Sequence, residues 1–287
     1  MKYILYNPLS GRGDSQSIAG KFCEKIDLAK AVDMTAISDF KEFFGTLATD
    51  DEIYLFGGDG TLNRFINAIG DVEVKNSVYY FPSGTGNDFC IDVGKANVTE
   101  PFLINEYIKD LPSVTVNGKD YKFINGVGYG IDGYACHVGD ELKKKGKLPN
   151  YTSIAIKGLL FFYKPTNAVV TVDGVKHEFK KVWIAPTMFG GHYGGGIMPT
   201  PDQKRNSEDG ELSFMAFHGS GRLRTLTIFP SMFKGEHVKY TKHVTVIKGK
   251  EITVEFDRPT PLQIDGETIC GVTKYTAVAN SKVKQNV

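Results

Sequence analysis

The sequence predicts two domains: an α/β first domain, built as a parallel sheet covered by helices, and a β-rich antiparallel second domain. Two observations lead there. Up to Leu111-Pro112, strand-like runs, glycine-bearing polar loops and helical spacings alternate, the pattern of strands joined by covering helices. After that point hairpin signals dominate. A length of 287 residues suits two domains of ordinary size, 1–112 and 113–287, with the last residues able to return to the first.

In the first domain, Tyr3-Ile-Leu-Tyr6 reads as a strand and Asn7-Pro-Leu-Ser-Gly-Arg-Gly13 as its loop. Ile18, Phe22 and Ile26 then keep four-residue spacing beside Ala19 and Cys23, one apolar helix face. Phe40, Phe43, Phe44 and Leu47 repeat the pattern behind Ser38 as N-cap. The strand Ile53-Tyr-Leu-Phe56 runs into Gly57-Gly-Asp-Gly-Thr-Leu-Asn63, and Leu62, Phe65, Ile66 and Ile69 form the next helix face. Finally Ser77-Val-Tyr-Tyr-Phe81 leads to Pro82-Ser-Gly-Thr-Gly-Asn-Asp88. Three such loops after three parallel strands gather at the C-terminal edge of one sheet, where open α/β sheets bind ligands, so one composite site is expected.

In the second domain, Asn117-Gly118 between Val114-Thr-Val116 and Lys119 to Ile124 predicts a hairpin with a type I′ turn. Asp173-Gly174 after Ala168 to Val172 predicts another. Val244 to Ile247 and Ile252 to Phe256, around Lys248-Gly-Lys-Glu251, read as a third. Helical patterns fall near Tyr134 to Lys145, Tyr151 to Tyr163 and Arg222 to Phe233.

Composition narrows the function. With 34 basic and 33 acidic residues, no global field favours nucleic acid. Cys23, Cys90, Cys136 and Cys270 form no C-x-x-C pair, so neither a zinc site nor a disulfide framework is indicated, and a reducing cytosol fits. The opening apolar run breaks at Asn7-Pro8, short of a signal-peptide core. Ile154 to Tyr163 is the most apolar stretch, but it is too short to span a bilayer and contains Lys157, so any membrane contact is expected to be peripheral. Lys143-Lys-Lys-Gly-Lys147 reads either as a solvated helix end or as a contact for anionic head groups, and Lys204-Arg205 is a smaller basic pair. The six histidines show no metal-ligand spacing.

The chemistry concentrates in the glycine loops. Three glycines around Asp59 permit φ > 0 and close approach of a ligand to backbone N–H groups, a phosphate cradle, with Thr61 opening the helix. Arg12 offers a fork of donors to phosphate oxygens. Gly128-Tyr-Gly-Ile-Asp-Gly133 satisfies the dinucleotide fingerprint, but no acidic residue lies between Glu141 and Asp173 to hold a ribose hydroxyl, so it reads as a domain-junction turn. Neither a Walker A lysine loop nor a G-x-S-x-G elbow is present. The loop Gly190-Gly-His-Tyr-Gly-Gly-Gly196 reads as an acceptor-site rim or a plain connection.

Together the Asn-Pro-Leu-Ser-Gly-Arg-Gly, Gly-Gly-Asp-Gly-Thr-Leu-Asn and Ser-Gly-Thr-Gly-Asn-Asp motifs resemble the catalytic domain of the diacylglycerol kinase and sphingosine kinase family, especially its bacterial soluble members. Gly194-Gly-Gly-Ile-Met-Pro-Thr-Pro-Asp202, Glu208-Asp-Gly-Glu-Leu-Ser213 and Leu262-Gln-Ile-Asp-Gly-Glu267 extend the resemblance across nearly the whole chain. It implies a first domain like those of NAD kinase and phosphofructokinase, and an ATP- and Mg²⁺-dependent transfer of phosphate to a lipid hydroxyl by a cytoplasmic protein that meets the membrane peripherally. Asn7, Pro8, Leu9, Ser10, Gly11, Arg12, Ser38, Gly57, Gly58, Asp59, Gly60, Thr61, Leu62, Asn63, Gly84, Thr85, Gly86 and Asn87 would line the nucleotide site. Asp59 would engage Mg²⁺ or act as base. Asp265, with Glu267 beside it, would take the proton of the acceptor alcohol, although Asp265-Gly266 alone reads as a hairpin turn. Asp209, with Asn206 and the Glu211 carbonyl, would hold a structural Mg²⁺; here Glu208 departs from the family's usual paired aspartates, and a capped turn fits equally. A homodimer is compatible with all of this. NAD kinase, which shares the Gly-Gly-Asp-Gly signature, and a non-catalytic lipid-binding module of the same fold are the rival functions.

Overall fold

The structure is a computed structural model that describes residues 1–8, 15–84, 86–205 and 207–280. Leu9, Ser10, Gly11, Arg12, Thr85, Asn206 and the C-terminal tail from residue 281 lie outside the described residues, and with them those parts of the expected nucleotide and metal sites. The chain divides into two compact units, Met1–Leu111 and Pro112–Val287.

The first unit runs β1 (Lys2–Tyr6), α1 (Ser15–Cys23), β2 (Ala29–Asp33), α2 (Phe40–Gly45), β3 (Glu52–Gly57), α3 (Asp59–Ile69), β4 (Ser77–Pro82), α4 (Asp88–Asp92) and β5 (Phe102–Leu103). Its sheet has the order β2-β1-β3-β4-β5, parallel except for the β4–β5 pair. Since β1, β3 and β4 are neighbours and parallel, their C-terminal ends lie side by side at one sheet edge. Ile4, Leu5, Ile53, Leu55, Val78 and Tyr80 are buried on the strands, and α3 turns Leu62, Phe65, Ile66 and Ile69 inward. The cap of α2 differs from expectation. Asp39, not Ser38, accepts from the N–H groups of Lys41 at 2.7 Å and Glu42 at 3.1 Å, because the helix begins at Phe40 and only its immediate predecessor reaches those donors.

The second unit runs β6 (Ser113–Val116), β7 (Lys119–Lys122), β8 (Gly126–Tyr129), α5 (Ile131–Lys144), α6 (Tyr151–Lys157), a π turn over Gly158–Phe162, β9 (Thr166–Val172), β10 (Val175–Val182), β11 (Thr187–Met188), β12 (Leu212–Phe217), α7 (Arg222–Ile228), β13 (Val244–Gly249), β14 (Glu251–Ile264) and β15 (Glu267–Val278). Ten strands form one sheet, whose main path is β13-β12-β11-β8-β14-β15-β6-β7, with β9 joined to β14 and to β10. Valines, phenylalanines and tyrosines from seven of these strands share one core, with Tyr129 stacked on Phe256. A second core, around Trp183, Met215, Phe217 and Met232, lies beneath α5, α6 and α7.

Two of the three expected hairpins form. Asn117 and Gly118, at φ 51° and 76°, turn β6 into β7, and Asp173 and Gly174, at 47° and 81°, turn β9 into β10. The third does not. β13 pairs with β12, and β14 pairs with β15, β8 and β9, so Lys248 to Glu251 joins strands that are not ladder partners. The hairpin missed from sequence is β14–β15, whose turn is Asp265-Gly266, both at positive φ (46° and 93°). Its strands run 14 and 12 residues with register shifts, and that length and irregularity hid it. The fingerprint-like Gly128 to Gly133 is internal to this unit rather than a domain junction. It carries β8 into α5, with Gly130 at φ 115°.

Candidate functional site

In the first unit the sequence places two glycine loops after β3 and β4, and the backbone brings them into contact. A Cβ on Gly84 would lie 2.4 Å from Gly58 Cα and 2.7 Å from Gly58 N, and one on Gly58 would lie 3.0 Å from the Gly86 carbonyl oxygen. Neither glycine has a positive φ. The expectation of left-handed backbone around Asp59 is therefore corrected: Gly58 and Gly84 are glycines so that two main chains can touch. Gly57 is a glycine because the Thr61 side chain occupies the space a Cβ would need.

Asp59 fastens this contact. Its Oδ2 accepts from the Asp88 N–H at 2.8 Å and its Oδ1 from the Phe89 N–H at 3.1 Å. Asn87 makes no capping bond to α4, so the aspartate of one loop caps the short helix that follows the other. The Asp59 N–H returns to the Gly86 carbonyl at 3.3 Å, and Ser83 N–H donates to the Gly57 carbonyl at 3.0 Å. Burial, then the nearby Asp59 carboxylate, push the Cys90 thiol up to about 12.

This arrangement narrows the cradle. The N–H groups of Thr61 and Leu62 are spent on the Gly58 carbonyl, at 3.0 and 3.1 Å. Side chains supply what the backbone does not. Thr61 Oγ1, Ser83 Oγ and Asn87 Oδ1 are buried and have no hydrogen-bond partner among the described residues. Asn87 Nδ2 is fixed on the Gly84 carbonyl at 3.1 Å, which aims its oxygen. Orphaned hydroxyl and amide groups along two locked loops suit a polyoxygen ligand. Gly60 and Asn63 sit in the first turns of α3. Asn7 is buried at the end of β1, where its carbonyl accepts from Ser15 at 2.6 Å, and Pro8 follows it. Ser38 lines a cavity of about 460 Å³ with Thr35, Asp39, Phe40, Arg64 and Ala68.

In the second unit the turn residue Asp265 is buried, and its carboxylate is committed to backbone. Oδ2 accepts from Ile124 N–H at 2.7 Å; Oδ1 accepts from Asn125 and Gly126 N–H at 2.8 and 2.9 Å. The same segment is held from its other side by Arg205, which donates to the Ile124 carbonyl and, at 3.1 Å, to the Asn125 side-chain oxygen. Arg205 therefore belongs to this clamp and not to a surface basic pair. An aspartate gripping three N–H groups is poorly free to abstract a proton. Glu267, two residues on, opens β15 and is half-buried.

Asp132, inside the fingerprint-like Gly128 to Gly133, is a second carboxyl near this turn. Tyr193 Oη donates to its Oδ2 at 3.0 Å, Gln263 bonds it, and Gln263 in turn accepts from Gly266 N–H at 2.7 Å. Gly128 is a glycine because Asp132 and Gln263 meet where its Cβ would be. Burial pushes Asp132 up to about 6, against the Tyr193 and Gln263 hydrogen bonds that pull it down. Tyr193 is delivered by the glycine-rich loop, whose Gly194, Gly195 and Gly196 all have positive φ while Tyr193 and Ile197 bond each other across it. The loop is thus a tight turn that presents the Tyr193 side chain to Asp132.

Of the three donors expected to hold a structural Mg²⁺, the two described ones, Asp209 and the Glu211 carbonyl, already have hydrogen-bond partners. Asp209 is exposed, and the Glu211 N–H, with the Ser207 hydroxyl, holds its carboxyl below the usual range. The Glu211 carbonyl already accepts from Gln203 at 3.1 Å. Among the described residues no cluster of three acidic, histidine or cysteine side chains could hold a metal. The capped-turn alternative describes Asp209 as found.

The parallel sheet with locked glycine loops and the β-rich unit that follows it have the architecture of the NAD kinase-like fold. The diacylglycerol kinase catalytic domain matches residues 2–111 and the YegS C-terminal NAD kinase beta sandwich-like domain matches residues 125–284. The chain therefore belongs to the diacylglycerol kinase family of lipid kinases. It is 26% identical over 283 residues to a diacylglycerol kinase of Bacillus subtilis, covering 92% of this chain and 88% of the relative, and 24% identical over 267 residues to one of Mycobacterium tuberculosis, covering 88% and 84%. A solved structure of a diacylglycerol kinase from Bacillus anthracis shares the fold, with a TM-score of 0.58, 19% identity, and 97% of this chain and 94% of that one covered.

Proposed function

We propose that the protein transfers the γ-phosphoryl group of ATP, supplied as its Mg²⁺ complex, to a hydroxyl of a lipid such as diacylglycerol or a sphingoid base. The observation that carries this reading is the pair of glycine loops fastened by Asp59, with Thr61 Oγ1 and Ser83 Oγ buried along them and without a hydrogen-bond partner among the described residues. Gly57 to Asn63 and Gly84 to Asn87 would seat the phosphates, and Asp59 would hold the two loops in register. In the second unit Glu267 is the proposed proton acceptor. As the alcohol oxygen bonds to the γ-phosphorus, its proton passes to the Glu267 carboxylate and the bond to ADP breaks. Asp265 positions the turn that carries Glu267.

The test is ATP consumption by the purified chain against diacylglycerol, monoacylglycerol, ceramide, sphingosine and NAD. Turnover with a lipid alcohol supports the reading, and turnover with NAD alone overturns it. Glu267→Gln should lower turnover by roughly 10²-fold or more while ATP binding and stability stay near wild type. Full turnover by that variant removes Glu267 from the mechanism.

A further inference from the structure

Thr268 and Cys270 lie two residues apart on β15, so their side chains share a face, and that face meets α5. Thr268 Oγ1 donates to Asp140 Oδ2 at 2.7 Å, and the Cys270 sulfur lies 3.4 Å from Nδ1 of His137, one helical turn back along α5. At Cys270 the ladder slips. Leu262 pairs with Ile269 and Thr260 with Val272, so Cys270 and Gly271 stand opposite the single residue Pro261. A bulge of this kind re-aims its side chains, and Gly271, at φ 72°, supplies the left-handed backbone that closes it. The outcome is an exposed thiol held against an imidazole.

The surroundings suit a nucleophilic sulfur. Glu141 chiefly, with Asp140 and Cys270 adding to it, holds the Lys144 ammonium above its ordinary range. Lys144 in turn, and His137 more weakly, hold the Glu141 carboxyl below its own. Thiol, imidazole, ammonium and carboxylate therefore share one patch between α5 and β15. A base within reach of a sulfur, itself steered by a third group, is the pattern that activates a weak nucleophile, and neighbouring cations favour thiolate over thiol. The other three cysteines are placed to stay inert. Burial, then Asp132, pushes Cys136 up to about 12; burial, then Asp59, does the same to Cys90; burial, then Glu24, raises Cys23. Among the described residues no third acidic, histidine or cysteine side chain joins the pair to make a metal site. The phosphoryl transfer proposed above uses neither Cys270 nor His137.

We propose that Cys270 is a thiol-modification site, with His137 as its base and a low-molecular-weight disulfide as its reaction partner. The Cys270 sulfur, its proton taken up by His137 Nδ1, attacks one sulfur of the disulfide. The S–S bond breaks, and the other half leaves as a thiolate that receives the proton from His137. Cys270 ends as a mixed disulfide, and nothing beyond the disulfide is consumed. The adduct would sit on β15, three residues past Glu267, but its test needs neither ATP nor turnover. The full chain, native and in urea, would be incubated at pH 7 with glutathione disulfide, and each cysteine peptide quantified over time by mass spectrometry. In the native chain Cys270 should react at least about tenfold faster than Cys23, Cys90 or Cys136, and faster than it does itself in urea, where the four should react alike. His137→Asn should slow Cys270 about tenfold at pH 7 yet leave it near the wild-type rate at about pH 10, where a thiol loses its proton without help. A variant that merely closed off the sulfur would be slow at both. Equal rates for Cys270 in the native and unfolded wild-type chain would overturn the proposal, whether or not the variant folds. So would a His137→Asn chain that reacts as fast as wild type at pH 7, or one slowed as much at about pH 10.

Discussion

Gly84→Ala places a methyl group where there is no room for it. Its Cβ would lie 2.4 Å from Gly58 Cα and 2.7 Å from Gly58 N, and both neighbours are main chain, so no side-chain rotation relieves the clash. Gly58 is in turn tied down, because the Asp59 that follows it is bonded to Gly86, Asp88 and Phe89. The loops must part by about 1 Å, which strains the Asp59 bridge as well. Overpacking of this kind costs about 2–3 kcal/mol, and in a unit of this size that lowers the melting temperature by roughly 10 °C. The internal control is Gly86→Ala, whose Cβ meets only Asp59 Oδ2 at 3.6 Å, an ordinary contact. Thermal and urea unfolding of the two variants, with ATP affinity measured by titration calorimetry, separate the cases. Gly84→Ala should lose stability and nucleotide affinity together, while Gly86→Ala should lose little stability. Wild-type stability in Gly84→Ala, or equal losses in both, would refute the claim that these glycines exist for loop-to-loop contact.

Asp265→Ala should destabilise the protein by more than about 3 kcal/mol in urea unfolding, since it strands the N–H groups of Ile124, Asn125 and Gly126; a loss of activity with unchanged stability would instead restore Asp265 as a reacting group. Asp132, raised to about 6 from an ordinary 3.8, keeps a proton in the folded chain that the unfolded chain has released, so stability should fall as pH rises between about 4 and 6. The full shift corresponds to ~3 kcal/mol, and solvent at this part-buried residue reduces it to ~1–2 kcal/mol. Asp132→Asn should flatten that slope and gain about this much at pH 7, read from urea midpoints across the range; parallel slopes for the two proteins would count against it.

The α/β order of the first unit was legible because each loop is bracketed by a strand run and a helical spacing, both local signals. Two hairpins were legible for the same reason, since Asn-Gly and Asp-Gly announce a turn within four residues. What the sequence could not reveal was pairing at a distance. Lys248 to Glu251 looked like a turn, but the partner of β13 is β12, already placed by the chain before it. Asp59 and Asp265 were recognisable as important carboxylates, yet their partners lie 29 or more and 139 or more residues away, so motif alone could not reveal the backbone N–H groups they hold. Asp132 was hidden differently. Its hydrogen-bond partners are Tyr193 and Gln263, which no spacing links to it.

The two neighbours of β14 have a consequence for how the gene can vary. β9 pairs along Ile252 to Phe256 and β8 along Leu262 to Ile264, on the same edge of one strand, while β15 covers the other. The stretch where one neighbour ends and the next begins contains Pro259 and Pro261, residues with no N–H to offer a ladder. Substitutions at the two prolines forfeit no ladder N–H and should be well tolerated. A single inserted or deleted residue should not be. It would leave the β9 register untouched but invert the facing of Leu262 to Ile264, turning the Asp265 carboxylate away from the three N–H groups it holds. Drift in length across this short stretch should therefore be far rarer than drift in identity.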